Sequence, residues 1–338
     1  MKTFNFFSII LALAISTALA GCGGGTEPQP SVNTTPASYN AQQQWSVTTG
    51  SGADAITTDG AGNVIVTNSN NSLQKFDPSG TLQWTISTGA SPANSVSTDG
   101  SGNIYATIGS ANALKKFDSA GNLQWTVPTG ASPSFMSTDS SGNSYVVNFN
   151  YATNTLQKFD TSGTLQWSVP TASGAYKVVV DGNENAYVIT ESQPTTDYRL
   201  QKFDSTGVLQ WSLSLAYAPG SVATDSNGNV YVSLALGNAL QKYNSAGALQ
   251  WSVATYPGPW CMTVDGSGNA YVGTRSTLQK FDTTGMQKWV AETVSPLGLR
   301  PRTASGMSTS STVTRCRSST APAPLNPLPG YALYSRTK

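Results

Sequence analysis

Residues Leu200–Trp211 read L-Q-K-F-D-S-T-G-V-L-Q-W, and residues Asp225–Val232 read D-S-N-G-N-V-Y-V. Both phrases return along the chain. The first starts at Leu73, Leu114, Leu156, Leu200, Leu240 and Leu278, with small changes such as Lys115, Tyr243 and Met286. It ends at Trp84, Trp125, Trp167, Trp211, Trp251 and Trp289. The second, D-x-x-x-N and usually an apolar-aromatic pair, starts at Asp59, Asp99, Asp139, Asp181, Asp225 and Asp265. An extra Trp45 precedes them all, and these seven tryptophans follow one another at steps of 39, 41, 42, 44, 40 and 38 residues. A steady period of about forty residues marks a repeat architecture.

Each unit holds four short apolar stretches separated by turn chemistry. In the fourth unit these predict strands at Ala175–Val180, Ala186–Thr190, Leu200–Phe203 and Leu209–Leu213. The Asp-Gly-Asn-Glu-Asn and Asp-Ser-Thr-Gly links are tight turns, because Asn, Asp and Gly tolerate left-handed backbone angles. No stretch has helical period. Alternation is imperfect, as expected when both faces of a small sheet are covered by other sheets. The fold class is therefore all-β: a β-propeller of four-stranded blades, six of them complete in this chain. The rival β-solenoid usually has coils shorter than forty residues.

The phrase Asp225–Val232 resembles NHL-type and bacterial seven-bladed (SBBP-type) propeller repeats, and the G-x-L-Q-W ending is similar to quinoprotein-like propellers. The resemblance covers about Trp45 to Trp289. It implies a fold and says little of function, because propellers host many unrelated activities.

The chain has 338 residues with 18 basic and 17 acidic side chains and no histidine. A net charge near zero gives no basic face for nucleic acid. At the N-terminus, Lys2 and the apolar run Phe6–Ala18, too short for a comfortable membrane span, have the form of an export signal. The run ends in Leu19-Ala20-Gly21-Cys22, which resembles the bacterial lipobox; Ala18-Leu19-Ala20 also fits an ordinary cleavage site. The lipobox resemblance implies acylation of Cys22 and anchoring in the cell envelope. Gly23 follows, not the aspartate that often retains such proteins at the inner membrane, so the expected placement is the outer membrane. The expected organisation is a signal peptide over 1–21, a flexible Gly/Pro/Gln-rich tether over 22–44, the propeller over 45–292, and an irregular basic tail over 293–338.

The tail breaks the pattern. From Thr293 to Lys338 there is no Asp or Glu, and the repeat vanishes. Back-translation of Arg302–Pro324 with each codon started one base earlier allows the string D-S-V-G-N-V-Y-V-V-N-G-N-T-L-Q-K-F-D-S-T-G-T. That is both repeat phrases in order and at the right spacing. The expectation is a seventh blade thrown out of frame by a small insertion or deletion near the codons for Leu297–Pro301. Trp45 would then mark the N-terminal strand that closes the ring. Without that blade the Trp45 strand has no obvious slot. Cys316 would be an artefact of frame.

The absence of histidine removes Ser-His-Asp and Cys-His sites and His-ligated metals. Virginiamycin-lyase-like propellers, distant relatives in fold, depend on histidine, so that activity is not carried over. Cys261, between Trp260 and Met262, reads as a small buried hydrophobe. The Asp-x-x-Gly-Asn turns offer one carboxylate and one amide each, too few for a calcium loop, so no metal or other cofactor is expected. The recurring Lys75, Lys116, Lys158, Lys202, Lys242 and Lys280 read as structural, paired with each blade's own Asp. The recurring tryptophans read as packing residues between blades.

Topology singles out one end of the ring. The short, repeated turns lie at one end, and the variable connections all lie at the other. Those carry Phe149, Tyr151, Tyr198, Arg199, Tyr217 and Tyr256, with Trp260 just after the last. Aromatics and Arg on variable loops suit a binding surface. The expected function is a lipid-anchored binding or scaffold module for an envelope protein, peptide or glycan. The alternatives are a His-independent enzyme with carboxylates converging on the axis, an envelope-assembly scaffold, and the product of a degraded gene.

Overall fold

A computed structural model describes residues 13–14, 42–50, 52–149, 154–172, 174–192, 197–292, 311–317 and 333–336. The tight Asp-led turns fold each repeat into an antiparallel meander. Six such four-stranded sheets follow one another in chain order. The first strands of consecutive sheets pack side by side, so they surround a common axis and the fourth strands lie outermost. The protein is an all-β propeller with six complete blades, over residues 53–87, 95–128, 133–170, 175–215, 219–254 and 261–292.

The turn after each first strand is built by one carboxylate. Asp225 Oδ1 accepts the backbone N–H groups of Asn227 and Asn229, both at 3.0 Å, and Oδ2 accepts Asn229 Nδ2 at 2.8 Å. The Tyr231 hydroxyl lies 3.2 Å from the same oxygen and donates to Gly268 O of the next blade at 2.9 Å. The turn after each third strand repeats the device: Asp204 Oδ1 accepts Thr206 N and Val208 N.

The L-Q-W ending is bulged. Phe203 pairs with Leu209 but Lys202 pairs with Trp211, so Gln210 is the extra residue. Its Nε2 donates to Asp204 Oδ2 at 2.7 Å. The bulge turns the tryptophan toward the next blade and leaves the leucine outside, with Leu123 53% and Leu249 51% exposed. Each blade interface is a separate apolar cluster; Trp211 and Leu213 of blade 4, for example, pack on Val222, Val230 and Val232 of blade 5.

Two local expectations need correction. In blade 4 the middle strands run Ala186–Ser192 and Asp197–Phe203, longer than predicted, because Glu191 pairs with Tyr198 and Ser192 with Asp197. Tyr198 and Arg199 therefore stand on a strand, not on a loop. The Trp45 strand, Gln42–Thr48, also has a slot: it pairs antiparallel with Ser311–Arg317, which pairs on with Leu333–Arg336. Leu13–Ala14 runs parallel to Ser311–Arg317. Cys22 and the rest of the tether to residue 41 lie outside the described residues.

Candidate functional site at the variable end of the ring

The two ends of the ring differ in what they are made of. At the turn end the same side chains recur in blade after blade and are occupied with holding the ring. Lys75 Nζ pairs with Asp59 at 3.1 Å and donates to Ser119 O of the next blade. Lys116, Lys158 and Lys202 likewise reach Thr161 O, Ser205 O and Ser245 O. A pocket of about 340 Å³ at this end is lined by Asp59, Asn63, Lys75, Gly102 and Ser119. Its polar groups already bond one another, so it presents structure rather than an unfilled site.

At the other end the residues change from blade to blade. Tyr217 and Tyr256 are half-exposed, at 51% and 49%, on successive outer-to-inner connections. Tyr217 lies flat on Gly237, where a Cβ would come within 2.5 Å of the ring. The backbone N–H of Tyr256 donates to Gln279 Oε1 at 3.1 Å, fixing its connection to blade 6. Trp260 is half-buried over Gly258, and Phe149 is half-buried with its N–H on Ser132 O. Tyr198 is held by Glu191; burial first, and then that carboxylate, push its hydroxyl pKa up. Arg199 is half-exposed and paired with Asp197 at 2.7 Å. Tyr151 lies outside the described residues. The described candidates thus spread over blades 3 to 6 and their connections, around the axis.

The axis itself supplies what the sequence reading missed. The residues five and four places before each turn aspartate are Asp54/Ala55, Asn94/Ser95, Ser134/Phe135, Tyr176/Lys177, Gly220/Ser221 and Trp260/Cys261. No two blades share a pair, although the residues just before the aspartate are small or β-branched in every blade. The variable pairs begin the inner strands at the variable end of the ring.

Four of these blades meet at Lys177. Its Nζ donates to Gly220 O of blade 5 and lies 5.7 Å over the Phe135 ring of blade 3. Burial pushes its pKa down to about 8, partly offset by the field of Cys261 on blade 6. Among the described residues no carboxylate lies within ion-pair distance of it. Gly220 is required there, because a Cβ would fall 2.2 Å from Pro259 O. Tyr176 OH donates to Pro219 O at 3.1 Å, and Asn94 makes the matching bond to Pro133 O. Burial pushes the Cys261 thiol up to about 12, with Lys177 opposing. The signal for this site was present in the sequence as the one part of the inner strand that does not repeat.

No family model matches the chain, and no curated protein matches it. Among solved structures, one of streptogramin B lyase is similar, with TM-score 0.61 and 15% identity, over 87% of this chain and 98% of that one. A protein of unknown function from Bacteroides caccae shows TM-score 0.49 and 14% identity, over 70% of this chain and 93% of that one. At such identity the first likeness is one of fold.

Proposed function

We propose that this protein is a cell-envelope binding module, lipid-anchored through Cys22, that takes an anionic group of a protein, peptide or glycan over the variable end of its ring. The observation that carries the reading is Lys177. A buried ammonium without a carboxylate partner costs stability, and such a cost persists where a ligand supplies the missing charge. Phe135, Tyr176 and Trp260 around it, and Tyr217 and Tyr256 farther out, offer the aromatic surface that carries much of the energy in binding sites. The axis holds one lysine and one aspartate, Asp54, at these levels, rather than the converging carboxylates an acid–base enzyme would need.

The test is calorimetric titration of the mature chain with muropeptides, acidic oligosaccharides and acidic peptides. A ligand of the proposed kind binds the parent chain and loses at least tenfold affinity to Lys177→Met, while Lys116→Met at the turn end leaves affinity unchanged. Equal binding by the parent and Lys177→Met chains would remove the axis from the site. Labelled palmitate incorporated by the parent and lost in Cys22→Ser tests the anchor.

A further inference from the structure

We propose that the native ring closes with a seventh blade, whose first three strands are encoded across residues 296–324 and whose fourth strand is Gln42–Thr48. From about residue 302 onward the coding is in the neighbouring reading frame. The indole N–H groups of the outer strands form a relay of hydrogen bonds around the ring. Trp84 Nε1 donates to Ser119 O at 3.3 Å, Trp125 to Thr161 O at 3.2 Å, and Trp167 to Ser205 O at 3.0 Å. Trp211 donates to Ser245 O at 3.2 Å, and Trp251 to Thr283 O at 3.0 Å. Each bond runs from the outer strand of one blade to the outer turn of the next.

Trp45 makes the same bond, to Pro78 O of blade 1 at 3.0 Å. It lies on Gly80, where a Cβ would fall 2.7 Å away, as Trp167 lies on Gly207 and Trp251 on Gly285. Trp45 and Val47 pack on the core of blade 1 just as Trp84 and Ile86 pack on blade 2. By every contact, Gln42–Thr48 is the outer strand of a blade that precedes blade 1. Its bulge between Gln43 and Trp45 is the one found in the other outer strands. At the far end of the relay stands Trp289. Among the described residues no turn receives its indole N–H.

One blade between Trp289 and Gln42 completes the circuit, and the gene supplies its text. In the alternative frame the codons of 302–324 can read D-S-V-G-N-V-Y-V-V-N-G-N-T-L-Q-K-F-D-S-T-G-T. The recovered Asp-to-Leu spacing equals that from Asp265 to Leu278. In the present frame the backbone beside Gln42–Thr48 is Ser311–Arg317. The same codons, shifted, can read V-N-G-N-T-L-Q, the turn into a third strand and its start. The serine carbonyl of the recovered D-S-T-G turn corresponds to Ser119 O and Ser245 O, and so would accept from Trp289 and Lys280.

The test is resequencing of the codons for 290–329 in the source strain, with mass spectrometry of the C-terminal tryptic peptides of the native protein. The expected peptide begins F-D-S-T-G-T, after the recovered lysine. A tryptic peptide spanning residues 318–336 of the present sequence would overturn the proposal. Recombinant chains in the two frames give a second reading. The restored chain should melt in one transition above that of the present chain, and Trp289→Phe should lower it as Trp211→Phe does. Equal melting of the two chains would also refute the seventh blade.

Discussion

Replacing Asp225 by Ala should be among the most damaging single changes outside the apolar core. Its carboxylate is buried, 5% exposed, and takes two backbone N–H groups, Asn229 Nδ2 and the neighbourhood of the Tyr231 hydroxyl. Lys242 stands 3.6 Å from it with a largely buried side chain. Removing one partner of a buried ion pair costs about 3–5 kcal/mol, because the other charge is stranded. Hydrogen bonds to a charged acceptor contribute about 1.5–3 kcal/mol each, and these terms overlap rather than add. A net loss of about 4 kcal/mol is therefore expected. At about 2–4 °C per kcal/mol for a body of this size, the melting temperature should fall by about 10 °C. Differential scanning calorimetry measures it, and amide exchange at Asn227 and Asn229 should accelerate. Asp225→Asn keeps one oxygen for the two N–H groups but loses the charge, so its loss should be intermediate. A shift within about 2 °C for Asp225→Ala would mean that the carboxylate does not organise the turn, and the account of the repeat would fail.

Acid should destabilise the ring through its outer turns. Asp77, Asp118, Asp160 and Asp204 are held below the usual carboxylate range by side-chain bonds from Ser79, Asn122, Ser162 and Thr206 and by turn N–H groups. Carboxylates depressed in the folded state contribute stability above the unfolded value, about 3.9, which is lost as pH falls through the folded ones. Replacing all four by Asn, the residue already present at Asn244, should flatten the acid limb of a plot of melting temperature against pH; an unchanged limb would contradict the assignment. Lys177 has the opposite sign. With its pKa pushed down to about 8, the charged amine opposes folding below that pH, and stability is regained toward the unfolded value of about 10.4. Lys177→Met should therefore raise the melting temperature most at pH 7 and progressively less as pH climbs past 8, and a gap independent of pH would refute the charge argument. Cys261, its thiol pushed up to about 12 by burial, should resist an aromatic disulfide reagent at pH 8 until the chain is unfolded. Stoichiometric labelling of the native protein within minutes would place it at the surface.

The blade was legible because its turns are spelled out locally. Asp204 and Asp225 each build a turn from their own following N–H groups, and a sequence reader sees the Asp and Gly that this needs. The tryptophan was legible as packing because it recurs. What did not show was anything decided by a bulge or by the curvature of the ring. Leu123 and Leu249 look like core residues in the string, yet the extra glutamine before each tryptophan turns them out to solvent. Tyr198 and Arg199 looked like loop residues because the repeat phrase begins after them, while pairing to Glu191 and Thr190 carries the strand past it. Lys177 was invisible because its neighbours, Phe135, Gly220 and Cys261, come from three other blades. The sequence could have pointed to it only through failure of the repeat at the start of the inner strand.

On the proposed anchoring, the direction of the closing strand decides by which end of the ring the chain enters. In every blade the fourth strand starts at the outer turn and runs to the variable end, as Leu209–Leu215 runs from the Asp204 turn toward Tyr217. Gln42–Thr48 has the same direction, since Trp45 bonds Pro78 in the outer turn of blade 1, and Gly50, just past the strand, donates to Gln74 at the opposite end. A chain anchored at Cys22 therefore enters the ring from the turn end. A tether of this length, fully extended, reaches about 70 Å, enough to lift the ring from the bilayer but not to reverse which end the chain enters. On that proposal the repeated turns, with Leu82, Leu123, Leu165, Leu209 and Leu249 exposed near them, are the end expected nearer the lipid, and the Lys177 mouth the end expected farther from it. Ligand and anchor are then expected at opposite ends, without competing. Vesicles carrying the acylated protein should bind the ligand as tightly as the mature chain without lipid does. A loss of affinity on the membrane would show that the variable end is the buried one and that the closing strand has been read in the wrong direction.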